Sequence, residues 1–286
     1  MANPDGIYNG LYAAKGCLLT ASDLYSVDPV TAACTSIGAI GYAISGMTYH
    51  PVKEIMYAAT SAYSAVSPNR LIRIDLATGA GTVIGPLGIN ANSQIGDLTV
   101  RPDGVLMGLG ETATGSTDDG VLFTIDTTTG VATQLVALGS SGGVCALVYS
   151  PFYGWLYAFD NTDEIERVDP WTGVVGYSYT HINTDYLVRA ASLKYGFQEC
   201  WDVEYSGVLG TNPLLGIISP LDDDLTPPGT GADTTVVGTM NVGNIDALAW
   251  VWTQPVYQRI YGIPVEIDDN GVETVRQLLV GIVGAP

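Results

Sequence analysis

The chain has 286 residues, 29 of them acidic and 10 basic, for a net charge of −19. So few cations cannot build the positive face that displaces counterions from phosphate, which argues against nucleic acid, and an anionic membrane surface would repel the chain. With 47% hydrophobic and 14% charged residues, 35 Gly and 17 Tyr, the composition suits many short strands joined by tight turns and does not suit helices.

The opening MANPDGIYNG has neither a basic n-region nor an apolar h-region. No run reaches the roughly eighteen apolar residues of a spanning helix, so neither a cleaved leader nor membrane insertion is expected. The first unit, near 7–40, contains Leu11-Tyr12-Ala13 and then Leu24-Tyr25-Ser26-Val27-Asp28 before PVTA. The second, near 44–88, opens on Gly46-Met47-Thr48-Tyr49-His50-Pro51, continues with Met56-Tyr57-Ala58 and reaches Leu71-Ile72-Arg73-Ile74-Asp75 before LATG. The third, near 95–139, has Asp97-Leu98-Thr99-Val100-Arg101-Pro102, Leu106-Met107-Gly108 and Leu122-Phe123-Thr124-Ile125-Asp126 before TTTG. The fourth, near 143–180, repeats this with Ala146-Leu147-Val148-Tyr149-Ser150-Pro151, Leu156-Tyr157-Ala158 and Ile165-Glu166-Arg167-Val168-Asp169 before PWTG. Two looser units follow, near 186–240 and 245–284, marked by Cys200-Trp201-Asp202, Ala247-Leu248-Ala249-Trp250 and Ile260-Tyr261-Gly262.

The four turn aspartates are 47, 51 and 43 residues apart, a spacing that suits propeller blades. Each Asp can accept backbone N–H groups two and three residues on, and Gly79, Gly130 and Gly173 supply the positive φ that closes the turn. Ala32 takes the glycine's place in the first unit, and Asp268-Asp269-Asn270-Gly271 reads as a degraded copy. Four antiparallel strands per repeat, stacked radially, predict an all-β fold: a single β-propeller of about six four-stranded blades spanning 1–286. A β-sandwich with chance turn similarity and a β-solenoid explain the period less well. The first unit lacks an obvious inner strand, so the chain ends are expected to close the ring, with 278–283 as one candidate.

This grammar resembles the repeat-built propellers of many bacterial secreted and surface proteins and of some phage virion proteins, well over 7–180 and loosely beyond. The resemblance specifies architecture and leaves function open. The missing leader, the low share of charged residues and the Gly/Thr/Tyr-rich strands suit a non-catalytic structural or recognition module, in a virion (capsid, neck or tail) or in a surface assembly. Such a protein would be cytoplasmic before release, and would leave by lysis or another route without a cleaved signal peptide. Its partners would be other proteins of the assembly, its own copies included, with a glycan as a further candidate; no cofactor is implied.

The competing class is an enzyme of the six-bladed lactonase type with calcium in the central channel. The start of each inner strand faces that channel, so unrepeated residues there are the binding candidates. Against Ser45 and Cys145 this slot holds Arg189 and Asp246, and Asp97 stands at the next position. Asp160, Asp163 and Glu164 in a hairpin are weak calcium candidates, as are Asp118-Asp119 in the equivalent hairpin, although turn-forming Asp explains both. Asp222-Asp223-Asp224 within 221–233 lacks the alternation of a calcium loop and reads as part of a projecting loop. Gly139-Ser140-Ser141-Gly142-Gly143 matches a hydrolase elbow in letters, but lies where a linker between strands is expected. His50 fills the slot of Arg101 and Ser150 and reads, like His181, as a surface residue. No CxxC pair occurs; Cys200 replaces Met56, Leu106 and Leu156 and should be buried, while Cys17 and Cys34 could form a disulfide. Tyr63, Trp155, Trp171, Trp252 and Tyr257 lie near turns, where several on one rim would suggest carbohydrate or protein contact.

Overall fold

The structure, a computed structural model, describes residues 10–16, 21–112, 118, 120–138, 144–151, 153–160, 164–180, 187–194, 200–205, 213–218, 234–251, 265–267 and 273–275. The described residues are strands and turns, and they form five four-stranded antiparallel sheets in a propeller arrangement. Blade 1 contains β1 (Gly10–Lys15), β2 (Asp23–Val27) and β3 (Cys34–Ala39). Blade 2 is β4 (Ile44–His50), β5 (Ile55–Thr60), β6 (Arg70–Ile74) and β7 (Gly81–Pro86). Blade 3 is β8 (Ser93–Val100), β9 (Leu106–Thr112), β10 (Val121–Ile125) and β11 (Ala132–Ala137). Blade 4 is β12 (Val144–Ser150), β13 (Trp155–Asp160), β14 (Glu164–Val168) and β15 (Val175–Thr180). Blade 5 is β16 (Leu187–Leu193), β17 (Cys200–Tyr205), β18 (Leu214–Ile218) and β19 (Thr234–Thr239).

The ring has five blades, not the six expected, because two incomplete units make one sheet. β20 (Ile245–Val251), which carries the Ala247-Leu248-Ala249-Trp250 block, pairs antiparallel with β1, Leu11 opposite Trp250. It supplies the inner strand that the first unit lacks, so the closing strand is 245–251 rather than 278–283. The propeller lies within Met1–Thr253; Gln254–Pro286 form a second unit whose described part is the hairpin of β21 (Val265–Ile267) and β22 (Glu273–Val275). Ile260-Tyr261-Gly262, Asp268-Asp269-Asn270-Gly271 and 278–283 lie outside the described residues, as do 139–143 and 221–233.

The aspartate turns form as the repeat predicts. Val30 and Thr31 N–H donate to Asp28 Oδ1 at 2.8 and 3.2 Å, and Asp75, Asp126 and Asp169 repeat the pair. Gly79 and Gly130 adopt φ +79° and +84°, and a Cβ on either would lie 2.6–2.7 Å from the carbonyl oxygen of Gly38 or Gly85 in the preceding blade. The glycine is therefore needed twice over, for its φ and for the close approach of two blades. Ala32 adopts the same left-handed conformation, φ 59°, at the corresponding place in blade 1.

One apolar cluster fills each of the five seams between blades. Strand alternation sends Met56 and Ala58 to one seam and Tyr57 and Ala59 to the next, which is how a thin sheet buries both faces. The outer strands carry no charged residue, and β3, β7, β11, β15 and β19 are bulged; a bulge twists an edge away from foreign strands.

Candidate axial site

Each of the five inner strands skips one residue in its pairing with its neighbour. The skipped residues are Ser45, Gly96, Cys145, Arg189 and Asp246, one per blade at one register position. A bulge re-aims the side chain it carries. Here all of them, with Glu111 from β9, line one small pocket. The sequence slot of Ser45, Cys145, Arg189 and Asp246 is thus one ring in space.

The ring is electrostatically mixed and internally engaged. Arg189 Nη1 lies 3.3 Å from Glu111 Oε1 and 3.5 Å from Cys145 Sγ. Glu111 Oε2 accepts from Gln94 Nε2 at 2.8 Å, and Gln94 Oε1 accepts from Ser61 Oγ at 2.8 Å and from the Ala62 N–H at 3.3 Å. Ser45 Oγ donates to Ile95 O at 2.6 Å. Gly96 is what lets Glu111 reach the axis, since a Cβ there would stand 3.0 Å from Glu111 Cβ and 3.1 Å from its Oε2. Gly16 serves Asp246 likewise: a Cβ would fall 1.8 Å from Asp246 Oδ2.

Asp97 stands one position further along, where the other inner strands have Gly46, Ala146, Ala190 and Ala247. It does not line the pocket. Its fully buried carboxyl accepts the Leu98 N–H at 2.8 Å and, from the next blade, the Leu147 N–H at 3.0 Å. Burial pushes this carboxyl well above the usual range, and the Glu111 charge pushes the same way, against the pull of the Leu147, Leu98 and Ala191 N–H groups. Asp97 therefore fastens neighbouring inner strands together in place of an apolar contact.

His50 is a correction to the sequence reading: it is buried. Its Nε2 donates to Gly104 O at 2.9 Å in blade 3, its Nδ1 accepts the Lys53 N–H at 3.3 Å, and burial lowers its pKa. Arg101 does the same work one blade on, donating to Pro170 O at 3.1 Å and lying 4.2 Å over the Trp171 ring. Asp118 accepts the Asn90 N–H at 3.1 Å and Asn90 Nδ2 at 3.0 Å, so it is a cross-loop brace. Cys34, Cys145 and Cys200 are buried thiols, with burial pushing Cys34 up to about 11. Cys17, Asp119, Asp163, His181, Trp252 and Tyr257 lie outside the described residues, as do the side chains of Asp160 and Glu164. Among the described residues, no three His, Cys, Asp or Glu side chains are grouped to hold a metal ion.

Glu111 escaped the sequence reading because it belongs to a second strand, not an inner one. The one available signal was Gly96 in the slot: a missing side chain leaves room for a neighbour. Chemically the ring offers one fixed cation, two carboxylates, a hydroxyl and a thiol around a space far smaller than an ordinary small-molecule site. Among the described residues, no histidine lines it.

No known protein family and no curated protein matches the chain. A solved structure that resembles it is a structural genomics protein of unknown function from Bacteroides thetaiotaomicron, with a TM-score of 0.50 and 15% identity over 84% of this chain. This chain spans 60% of that protein's length, and at such identity the likeness shows the fold alone.

Proposed function

We propose that this chain is a non-catalytic propeller that serves as a recognition or assembly module, of the kind that virions (capsid, neck or tail) and surface assemblies use. The observation that carries the reading is the engagement of the axis by the protein's own groups. Arg189 is ion-paired with Glu111, Glu111 is held by Gln94, and Asp97 spends its oxygens on backbone N–H donors. Unrepeated residues at the axis thus reinforce the ring. The exposed turns offer contact surface instead: Val30 is 79% exposed, Val174 62% and Trp171 53%, all in aspartate turns. Strand alternation places such turns of successive blades on one face of a propeller.

The axis does not fit the calcium ion of a lactonase-type enzyme. Calcium takes six to eight oxygen ligands. Here the Glu111 and Asp97 oxygens already have donors and a guanidinium stands among them. The likeness to that class rested on blade count, and the ring has five. The test is to assay the purified chain for lactone hydrolysis with and without calcium, and to measure whether it sediments stoichiometrically with a particle or filament from the cells that make it. Co-sedimentation without turnover is expected. A free monomer with calcium-dependent lactonase activity would sink the proposal.

A further inference from the structure

Blade 5 carries two buried acids that the axial site does not use. Asp202 and Glu204 are two apart on β17 and therefore share one face, and both are 0% exposed. Register places Asp202 beside Ala191 on one side and Gly216 on the other, with Glu204 beside Val188 and Leu214. At the place of Asp202 the other blades hold Ala13, Ala58, Gly108 and Ala158. Blade 5 alone has put a carboxyl where the scaffold uses its smallest residues.

The surroundings of this pair are apolar. Cys200, on the same face of β17, belongs to the cluster between blades 4 and 5, with Ala146 and Val148 from β12, Tyr157 and Phe159 from β13 and Ile165 from β14. Among the described residues, the titratable or charged groups turned toward this seam are few, and one of them is the phenol of Tyr153, packed against the cluster from the turn before β13. On β17 itself there is Cys200; from β13 there is the Tyr157 phenol; and from β14 there is Arg167, whose guanidinium lies 4.8 Å over Trp155. β12 and β18 add none in the cluster, and Asp97 from β8 acts on Cys200 through space. Among the described residues no other residue's N–H donates to Asp202; its carboxyl is within reach of its own N–H and of the Glu204 carboxyl. Two carboxylates cannot both be charged in such a place, and a hydrogen bond between two carboxyl groups requires a proton.

We propose that Asp202 and Glu204 hold one proton between them in the seam of blades 4 and 5, and that its loss as the pH rises loosens this seam first. Burial, followed by the Glu204 charge, raises the Asp202 pKa. A raised folded-state pKa means that this contribution to stability is complete below the unfolded value, about 4, and falls as the pH climbs toward the folded value. The pair thus acts as a pH-sensitive latch next to the closing blade.

The test compares the whole chain with the double variant Asp202→Asn/Glu204→Gln, which keeps the volumes and leaves no acid in the seam, and with the exposed charge control Glu54→Gln. Proton uptake on folding, followed as the pH is raised above the unfolded carboxyl value, should fall by about one per molecule in the double variant and stay unchanged in the control. The protonated-carboxyl infrared band should lose one component in the double variant. Hydrogen exchange in β16 to β18, corrected for intrinsic rate, should rise with pH more steeply in wild type than in the double variant. Unchanged proton uptake, or exchange whose pH dependence the double variant leaves intact, overturns the proposal.

Discussion

Asn241 completes the backbone of Cys34 across 207 residues of sequence: its Oδ1 accepts the Cys34 N–H at 2.7 Å and its Nδ2 donates to the Cys34 carbonyl at 3.2 Å. Elsewhere the same junction is pure backbone, with Gly81 N–H bonded to Ile40 O at 3.0 Å and Ala132 N–H to Leu87 O at 2.8 Å. At the closing seam a side-chain amide takes over both roles of a peptide group. The Trp201 and Trp250 rings meet edge to face at 5.5 Å in the same seam, between blades 5 and 1.

Asn241→Ala should therefore weaken ring closure. It strips partners from the N–H and the carbonyl of Cys34, a loss worth about 1–3 kcal/mol. Urea unfolding should show the lower midpoint, and the Cys34 amide should exchange faster than the Gly81 amide, which keeps its backbone bond.

Gly130→Ala should cost at least about 1–2 kcal/mol, the penalty of a Cβ in the left-handed region, with the contact to Gly85 O added. Ala32→Gly, at the same turn of blade 1, should be nearly neutral, since relief at φ 59° is offset by loss of a buried methyl. Thermal unfolding of the two variants, with opposite substitutions at one repeat position, tests whether the turn glycine is a packing requirement.

Arg189→Ala should convert the axis from a self-satisfied ring into a cation site. It leaves Glu111 and Asp246 in the pocket without the guanidinium. Calcium or a lanthanide should raise the Tm of the variant and leave wild type unmoved. Equal responses would show that the ion pair does not govern the pocket's charge preference.

The buried imidazole sets a second pH response. Its lowered folded pKa means that His50 contributes stability above the unfolded value, about 6.5, and withdraws it as pH falls through the folded value. His50→Gln, which retains a donor for Gly104 O and cannot titrate, should abolish that loss in Tm measured from pH 7 downward.

The turn aspartates act lower still. Backbone N–H donors hold the carboxyls of Asp28, Asp126 and Asp169 below the usual range, so their contribution is present above about pH 4 and vanishes as pH falls through the folded values. Asn at all three positions should flatten acid unfolding below pH 4, read by far-UV circular dichroism against pH.

The repeat was legible because its parts are local. Asp28 needs only the N–H groups of residues 30 and 31, so the turn is written in adjacent letters, and four copies at blade spacing predict stacked sheets. The axial register was legible for the same reason: equal position in equal units places Ser45, Cys145, Arg189 and Asp246 on one ring. Sequence could not count the blades, because an inner strand without a visible first-unit partner reads as a sixth unit until β20 is seen beside β1. Nor could it pair Arg189 with Glu111, which lie 78 residues apart on different strands of different blades. It could not show that Asp97 is enclosed while its neighbour Gly96 faces the pocket. Hydrogen bonds within a turn are decided by the chain near them. Burial, ion pairing and the closing of a ring depend on which distant surfaces meet, and only the tertiary structure decides that.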